Sequence, residues 1–369
     1  MLARHRSLMA SPLVSVVIPS YNRAHVVGEA IKSVLGQSHD AVEVVLVDDG
    51  STDDTPDRIK RDWGHESRVR YFRKENGGPS TARNFGFKEA RGAYVALLDS
   101  DDTWQPWKLS VQIACMEKHR QVGMTWTDMA MIDPSGQVAD PNYLRHMYTA
   151  YRWFTNDQLF PESYPLRELA PDFAAVVGDA RFRVGQIFSN MIMGNLVHTS
   201  TVVLRRERLD QIKGFDESLG FPGEDYDFHL RTCREGPVGL IDIPAIRYQQ
   251  GMADRLTARK YQFKLAQNLL RTLEPVIQHE RDKIQLPEKM LRQKLAEAHA
   301  WFAYENLERG DSDVSRKHYL QSLRYWPWQP EVLKPFTFAA LPFGTGLMLR
   351  KLLRSAKARI LGTEAESSS

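Results

Sequence analysis

The sequence, 369 residues long, predicts an α/β fold: a mostly parallel central sheet flanked by helices and followed by a C-terminal helical extension. Near-continuous apolar runs at 14–19, 42–47 and 94–98 have the pattern of strands that are covered on both faces. Between the first two runs, the apolar residues of segment 24–35 recur at helical spacing. A helix that joins two parallel strands makes a right-handed crossover, so the carboxyl ends of the strands meet at one edge of the sheet.

Acidic residues follow two of these runs, at the point where each strand is expected to end. Asp48 and Asp49 follow the second run, and Asp99, Asp101 and Asp102 follow the third. Open α/β sheets bind ligands at this edge, so Asp49 and Asp99 are expected to face one ligand. Three carboxylates within four positions repel one another unless they are solvated or neutralised, and a divalent cation is the simplest neutraliser. The alternative is a solvated acidic turn that caps the following helix.

Later segments repeat these strand and helix patterns. Between residues 140 and 195, however, the periodicity is lost and aromatic residues accumulate. Two interpretations of this insertion remain open: a cradle for a sugar or lipid acceptor, or a satellite hydrophobic cluster. Outside the insertion, we predict strands at 69–72, 122–126, 198–204 and 238–243, helices at 81–90, at 106–119 and from 224 onwards, and a hairpin around 129–136.

The composition argues against several classes of protein. A formal net charge of +3 gives no electrostatic basis for nucleic-acid binding. Cys115 and Cys233 have neither metal-site nor disulfide spacing, so we expect core thiols in a reducing compartment. We find no signal peptide and no apolar run of about 18 residues that would span a membrane. The expected location is cytoplasmic.

Three further residues are candidates for a site. Arg83 lies one turn into the helix after loop 75–80, where it either binds an anion bidentately or is simply solvated. That loop lacks both a G-x-G-x-x-G motif and a Walker lysine, which disfavours a dinucleotide or P-loop site. Glu224 and Asp225 begin a helix, where the helix dipole favours carboxylates. The functional alternative is a general base at the start of that helix.

Together these residues resemble the inverting family 2 glycosyltransferases, which bind nucleotide sugars on a GT-A fold. The matching segments occur in the family's order and at compatible spacing. The resemblance places a GT-A domain at 13–252, after a flexible N-terminus at 1–12. The four segments are 14–23 (VSVVIPSYNR), 44–55 (VVLVDDGSTDDT), 77–104 (with ARN and LDSDD) and 214–231 (GFDE and GEDYDFHLR).

The resemblance implies transfer of a sugar, with inversion, from a nucleotide donor to a saccharide or lipid-linked acceptor, in surface polysaccharide biosynthesis. A UDP-sugar is the favoured donor. A carboxylate that removes the proton of the attacking hydroxyl contributes about 10²–10⁴-fold, and a cation stabilises the departing diphosphate. The implied roles are nucleotide-sugar binding for Pro19, Tyr21, Asp49, Arg83 and Asp99, a Mg²⁺ or Mn²⁺ ligand for Asp101, and catalysis for Glu224 and Asp225, with Asp225 as the base.

One departure from the family concerns the cation. Many relatives carry a histidine just after the final strand, whereas segment 247–251 (RYQQG) has none. His198, expected in a strand, and His229, expected in a helix, are assigned to packing. Two other functions remain as alternatives: a catalytically silent nucleotide-sugar-binding or scaffold protein, and a sugar nucleotidyltransferase.

The last third of the chain predicts helices at 255–278, 286–309 and 313–326, within a helical extension at 253–330. A basic amphipathic tail follows at 331–369. This tail is expected to dock on an anionic bilayer, at the inner face of the membrane, or to form a dimer contact. The pattern does not define an oligomeric state.

Overall fold

The computed structural model describes residues 11–249 and 259–340, and the chain divides into two compact units between residues 255 and 256. The first unit contains a sheet with its helices, and the second contains helices. The flexible N-terminus expected at 1–12 and the amphipathic tail expected at 331–369 lie mostly outside the described residues.

Eleven strands of the described residues form one sheet, in the order β3-β2-β1-β4-β10-β6-β11-β9-β8, with β5 paired to β11 and β7 paired to β6. The strands are β1 (Val14–Ser20), β2 (Val42–Asp48), β3 (Val69–Arg73), β4 (Tyr94–Leu97), β5 (Thr103–Trp104), β6 (Met124–Ile132), β7 (Val138–Asp140), β8 (Glu162–Pro165), β9 (Arg181–Gly185), β10 (Val203–Arg205) and β11 (Val238–Gln249).

The predicted α/β fold with a largely parallel central sheet is confirmed. Strands β3, β2, β1 and β4 are parallel neighbours, and β6 is parallel to β11. Strand β10 runs antiparallel between β4 and β6, and the short strands at the far edge are also antiparallel. The strongly apolar runs became the central strands because both of their faces are covered.

The helices lie mostly between the strands, as predicted. In the first unit they are α1 (Val27–Leu35), α2 (Thr55–Trp63), α3 (Pro79–Glu89), α4 (Lys108–Lys118), α5 (Leu144–Met147), α6 (Asn156–Leu159), α7 (Leu166–Leu169), α8 (Ala174–Val177), α9 (Phe188–Met191), α10 (Arg206–Ile212) and α11 (Glu224–Arg234). In the second unit they are α12 (Gln262–His279), α13 (Glu288–Arg309), α14 (Ser312–Tyr325) and α15 (Pro330–Ala340).

The strand predicted at 198–204 is wrong over its first part. Residues Thr199–Thr201 form a 3₁₀ turn, and only Val203–Arg205 joins the sheet. The hydroxyl of Thr201 donates a hydrogen bond to the carbonyl oxygen of His198 at 2.6 Å, a local bond that competes with strand pairing. His198 therefore precedes the strand instead of lying within it.

The insertion predicted to be irregular contains two strands of the sheet, β8 and β9. In β9, Phe182 and Val184 are buried in a hydrophobic cluster, while Arg183 is paired with Asp242 across to β11. This alternation extends over five residues only, which is why the sequence pattern missed it. The cluster supports the satellite-cluster interpretation for this part of the insertion, and it also contains Cys115, a buried free thiol as expected.

Helices of the second unit pack through small and apolar residues. Ala303 and Leu307 of α13 lie in a hydrophobic cluster with Tyr319 of α14. Helix α13 ends at Arg309 and is capped by Gly310, whose φ of 92° is the left-handed conformation typical of a helix C-terminus. Across the described ranges, we find no helix with both the length and the apolar character needed to cross a bilayer.

Helix α3 approaches the sheet most closely at Gly86, where an added Cβ would lie 2.4 Å from Cγ1 of Val17. We expect Gly86→Ala to lower the free energy of unfolding by roughly 1–3 kcal/mol, the usual cost of overpacking. Gly28→Ala in α1 is the control, because the nearest atom to its Cβ, Nε1 of Trp63, is 4.0 Å away. The free energy of unfolding of Gly28→Ala should be unchanged or slightly raised. Urea denaturation measures this free energy for both variants, and equal changes in Gly86→Ala and Gly28→Ala would contradict the close contact at Gly86.

Two histidine rings meet inside the second unit. The Nδ1 atoms of His299 and His318 lie 2.9 Å apart, and Nε2 of His299 lies 3.3 Å from Oε1 of Glu274. Burial lowers the pKa of each histidine to about 4. Because a histidine of the unfolded chain titrates near 6.5, unfolding takes up protons between pH of about 6.5 and 4. Stability is therefore lost as the pH falls through that window.

We expect the urea midpoint of the full chain, followed by far-UV circular dichroism, to drop between pH 7.5 and pH 5. His318→Gln keeps a hydrogen-bonding partner for His299 and removes one titrating ring. Between pH 7.5 and pH 5, the unfolding free energy of the variant should therefore fall less than that of the parent. The difference is at most about 1.4 kcal/mol per pH unit for one proton. A variant with the full parental drop would show that His318 does not carry this pH dependence.

Candidate active site

The carboxyl ends of β1, β2 and β4 meet at one edge of the sheet. Ser20 at the end of β1 is level with Asp48 at the end of β2, and the amide of Asp49 donates to the carbonyl oxygen of Ser20 at 2.8 Å. The amide of Leu98 donates to the carbonyl oxygen of Val17, which brings the end of β4 alongside β1. The acidic residues that follow β2 and β4 therefore begin at the same edge.

Arg83 connects this edge to the start of α11. Its Nη2 atom lies 2.8 Å from Oδ1 of Asp99, and its Nη1 atom lies 3.1 Å from Oε1 of Glu224. Both Arg83 and Glu224 are buried, and the guanidinium also lies 5.1 Å from the ring centre of Phe215. The guanidinium of Arg83 in α3 is thus shared by Asp99, which follows β4, and Glu224, the first residue of α11.

Burial and the Arg83 charge act in opposite directions on the two carboxylates. For Glu224, burial dominates and raises the pKa to about 7, although Arg83 opposes this shift. For Asp99, burial also favours the neutral form, but the charge and the hydrogen bond of Arg83 outweigh it, so the pKa of Asp99 is lowered. Asp99 is therefore the firmly ionised partner of Arg83.

Asp101 lies in a more strongly acidic environment. Burial, followed by the charges of Asp102 and Asp99, raises the pKa of Asp101 to about 7, and Arg23 opposes the shift. Sequence reasoning gave Arg23 no role, although it is the last residue of the segment 14–23 that carries the resemblance. Asp101 is a carboxylate that needs positive charge nearby in order to ionise fully.

Asp225 follows Glu224 on the first turn of α11. The Nδ2 atom of Asn195 donates to Oδ2 of Asp225 at 3.4 Å. Burial raises the pKa of Asp225, while Arg83 and His198 lower it. The resulting carboxylate lies next to the Arg83 pair without being bound to Arg83 itself.

His198 lies beside these acids, in addition to the packing role that the sequence predicted for it. Its Nε2 atom lies 3.7 Å from Oδ2 of Asp102, and Nδ1 lies 3.1 Å from the hydroxyl of Tyr148. The expected strand position is wrong, since the strand begins only at Val203, but the ring is buried and does pack against Tyr148 and Tyr248. His229, by contrast, lies fully buried in α11 with Nε2 3.2 Å from Oγ1 of Thr199.

Asp49 organises the glycine-containing loop before α3. Its carboxylate accepts hydrogen bonds from the amides of Gly77 and Gly78, the latter at 2.7 Å, and from Nζ of Lys74 at 2.7 Å. Gly78 has a φ of 88°, which a residue with a Cβ rarely adopts. Sequence reasoning missed Lys74, although the loop itself was singled out.

The other two predicted binding residues lie at the end of β1. Pro19 is paired with Val47 inside the sheet, and Tyr21 is 45% exposed just beyond it. Oδ1 of Asn22 accepts a hydrogen bond from the amide of Thr52 at 2.8 Å. This bond joins the loop that follows β1 to the loop that follows β2. Tyr21 is therefore accessible at the edge where the acids lie.

In residues 11–249 and 259–340, no group of three or more His, Cys, Asp or Glu side chains is gathered as a ready metal site. The donor chemistry near Asp101 nevertheless fits a hard divalent cation. The carboxylates there are crowded, and Asp101 has a raised pKa, which a cation would reverse. Holding an ion requires side-chain adjustment at Asp101 or its neighbours.

Comparison with known proteins identifies the domain that carries this site. Residues 15–161 match the family model described as Glycosyl transferase family 2. These residues therefore form a glycosyl transferase family 2 domain. The matched range contains all of the predicted nucleotide-sugar and metal residues, whereas Glu224 and Asp225 lie beyond it.

The chain is also similar to several individual glycosyltransferases. An uncharacterized glycosyltransferase of Rickettsia typhi is 43% identical over 230 residues, which cover 62% of this chain and 61% of that protein. TuaG of Bacillus subtilis, provisionally assigned to teichuronic acid biosynthesis, is 38% identical over 130 residues, covering 35% of this chain and 51% of TuaG. In three further Rickettsia relatives, the match spans between 17% and 23% of their length.

Among solved structures, the mannosyltransferase PcManGT of Pyrobaculum calidifontis, in complex with GDP-Man and Mn²⁺, superimposes with a TM-score of 0.48 at 20% identity. The superposition covers 96% of this chain and 88% of PcManGT.

We expect Arg83→Gln to lower the free energy of unfolding by about 3–5 kcal/mol, because Glu224 loses its buried partner. Adding Glu224→Gln should recover part of this loss, so the double variant is more stable than the sum of the two single effects predicts. Arg58→Gln is the control, since Arg58 pairs with Asp62 on the surface of α2 at 3.6 Å. It should cost less than about 1 kcal/mol. Strictly additive effects in urea denaturation would contradict the coupling.

Proposed function

We propose that this protein is an inverting glycosyltransferase that moves a sugar from a nucleoside-diphosphate donor to a hydroxyl of a saccharide or lipid-linked acceptor. The main support is the Arg83 bridge. It joins Asp99, assigned to the donor, to Glu224, the neighbour of the base, at 2.8 and 3.1 Å. Donor contacts and base thus belong to one charged cluster.

Asp225 is the base in this proposal. A sugar hydroxyl is a weak nucleophile, and a carboxylate that takes its proton during attack accelerates the reaction by about 10²–10⁴-fold. Burial raises the pKa of Asp225, which makes it a stronger proton acceptor than an ordinary aspartate. Attack on the anomeric carbon from the face opposite the leaving diphosphate gives inversion without a covalent intermediate. Asn195, bonded to Asp225, holds the carboxylate in place.

Glu224 and Asp99 have supporting roles. Glu224 is buried and bound to Arg83, so it positions the guanidinium and does not accept the substrate proton itself. Asp99, ionised and partly exposed, is assigned to the ribose of the donor. The pocket for the nucleobase of the donor is assigned to Pro19, Tyr21 and Asp49, at the adjacent ends of β1 and β2.

Asp101 is proposed to hold Mg²⁺ or Mn²⁺. A divalent cation there would stabilise the negative charge of the departing nucleoside diphosphate. Asp101 supplies a carboxylate oxygen, and Asp102 and Asp99 contribute negative charge around it. Arg23 adds positive charge on the same side, where the diphosphate is expected.

The finer assignments follow the sequence. A UDP-sugar is the proposed donor. A product in surface polysaccharide biosynthesis agrees with the similarity to TuaG, which is 38% identical over 130 residues. We also propose a cytoplasmic location, with membrane docking by the tail at 331–369.

We expect Asp225→Asn to reduce sugar transfer by about 10²–10⁴-fold while donor binding is retained, because the amide cannot accept the proton. The assay is nucleoside-diphosphate release from a panel of UDP-, GDP- and dTDP-sugars with Mn²⁺, alongside thermal shift with the same donors.

Asp227→Asn is the matched control, since Asp227 lies on the same helix and pairs with Arg231 at 2.6 Å. It should keep most of the parental turnover. Undiminished turnover by Asp225→Asn would rule out this base. If the parent turns over no donor, while the parent and Asp225→Asn bind donors equally, the chain is a silent nucleotide-sugar-binding protein.

A further inference from the structure

The Nε2 atom of His198 is a buried nitrogen without a hydrogen-bond partner in the described part of the chain. The residue is 9% exposed. The closest acidic atom, Oδ2 of Asp102, is 3.7 Å away, which is too far for a hydrogen bond. A buried polar atom left in this state is costly unless something absent from the bare protein contacts it.

The ring is held so that Nε2 keeps one direction. Its other nitrogen, Nδ1, is bonded to the hydroxyl of Tyr148 at 3.1 Å. The ring edge meets Tyr248 at a centroid distance of 5.3 Å and an interplanar angle of 86°. Tyr248 is in turn stacked on Tyr143. An imidazole fixed through its second nitrogen is typical of metal-binding histidines.

The charges around His198 select a cation as the missing contact. Asp102, Asp99 and Asp225 are its charged neighbours. An anion alone would be repelled by three carboxylates, whereas a divalent cation is attracted by them. Imidazole nitrogen suits first-row transition metals, among which Mn²⁺ binds nitrogen most weakly, whereas Mg²⁺ prefers oxygen ligands.

We propose that Nε2 of His198 is a nitrogen ligand of the divalent cation assigned to Asp101, and that Asp102 lies beside both. The inference rests on the proposed cation site and adds an imidazole to it. It makes a first-row transition-metal ion a better fit than Mg²⁺, and Mn²⁺ is the member of that series used as the probe.

The test uses the full chain with Mn²⁺ alone, without a donor. Pulsed electron paramagnetic resonance of bound Mn²⁺ should show nitrogen modulation from an imidazole, and His198→Gln should abolish it. The Mn²⁺ dissociation constant of this variant should rise by about tenfold or more. Tyr148→Phe removes the bond to Nδ1, so it should weaken Mn²⁺ binding less and keep the nitrogen signal.

His146→Gln is the matched control, because His146 is an exposed histidine of α5 bound to Asp140. Neither its Mn²⁺ affinity nor its nitrogen signal should change. Thermal unfolding without metal shows whether each variant is folded.

The outcomes separate the two proposals. Loss of Mn²⁺ binding in Asp101→Asn, without any nitrogen signal in the parent, overturns the His198 ligand and keeps the cation site. Nitrogen modulation that persists in folded His198→Gln also overturns the ligand. Unchanged Mn²⁺ binding in both Asp101→Asn and His198→Gln, or no binding to the parent, overturns the cation site as well.

Discussion

The site depends on one buried guanidinium. Arg83 is 6% exposed and binds both Asp99 and Glu224, so two carboxylates at the edge of the sheet share a single positive charge. A buried charge without a partner costs several kcal/mol, and the three groups therefore tolerate burial only together. Their mutual dependence holds α3, the end of β4 and the start of α11 in one arrangement. A site preorganised in this way does not need to rearrange its charges during a reaction.

The cluster remains short of positive charge beyond this bridge. Asp101 and Asp225 both have raised pKa values, with burial as the main cause and neighbouring carboxylates as a further one. That shortage of positive charge suits a nucleoside-diphosphate donor that arrives with a cation, since the ion supplies the missing positive charge. It also leaves Asp225 basic enough to accept a proton. The same electrostatics thus supports both halves of the proposed transfer.

The parts of the fold that the sequence predicted well are those with strong local signals. Strands β1, β2 and β4 come from near-continuous apolar runs that are buried, and the helices between them have helical periodicity. Strands β5, β8 and β9 contain no such apolar run, and their place in the sheet depends on pairing with distant strands, which a local pattern does not reveal. The segment after His198 failed for a related reason, because a side-chain bond to the backbone replaced the strand that its β-branched residues favour.

By itself the sequence determined the resemblance to family 2, the order of the motifs and the placing of acids at strand ends, because parallel strands joined by helices must present those ends on one edge. Only the tertiary structure decided which charges meet. The contact between Arg83 and Glu224 spans 141 residues, and the approach of His198 to Asp102 depends on how a turn packs against another loop. Such contacts are set by long-range packing, which leaves no periodic trace in the chain.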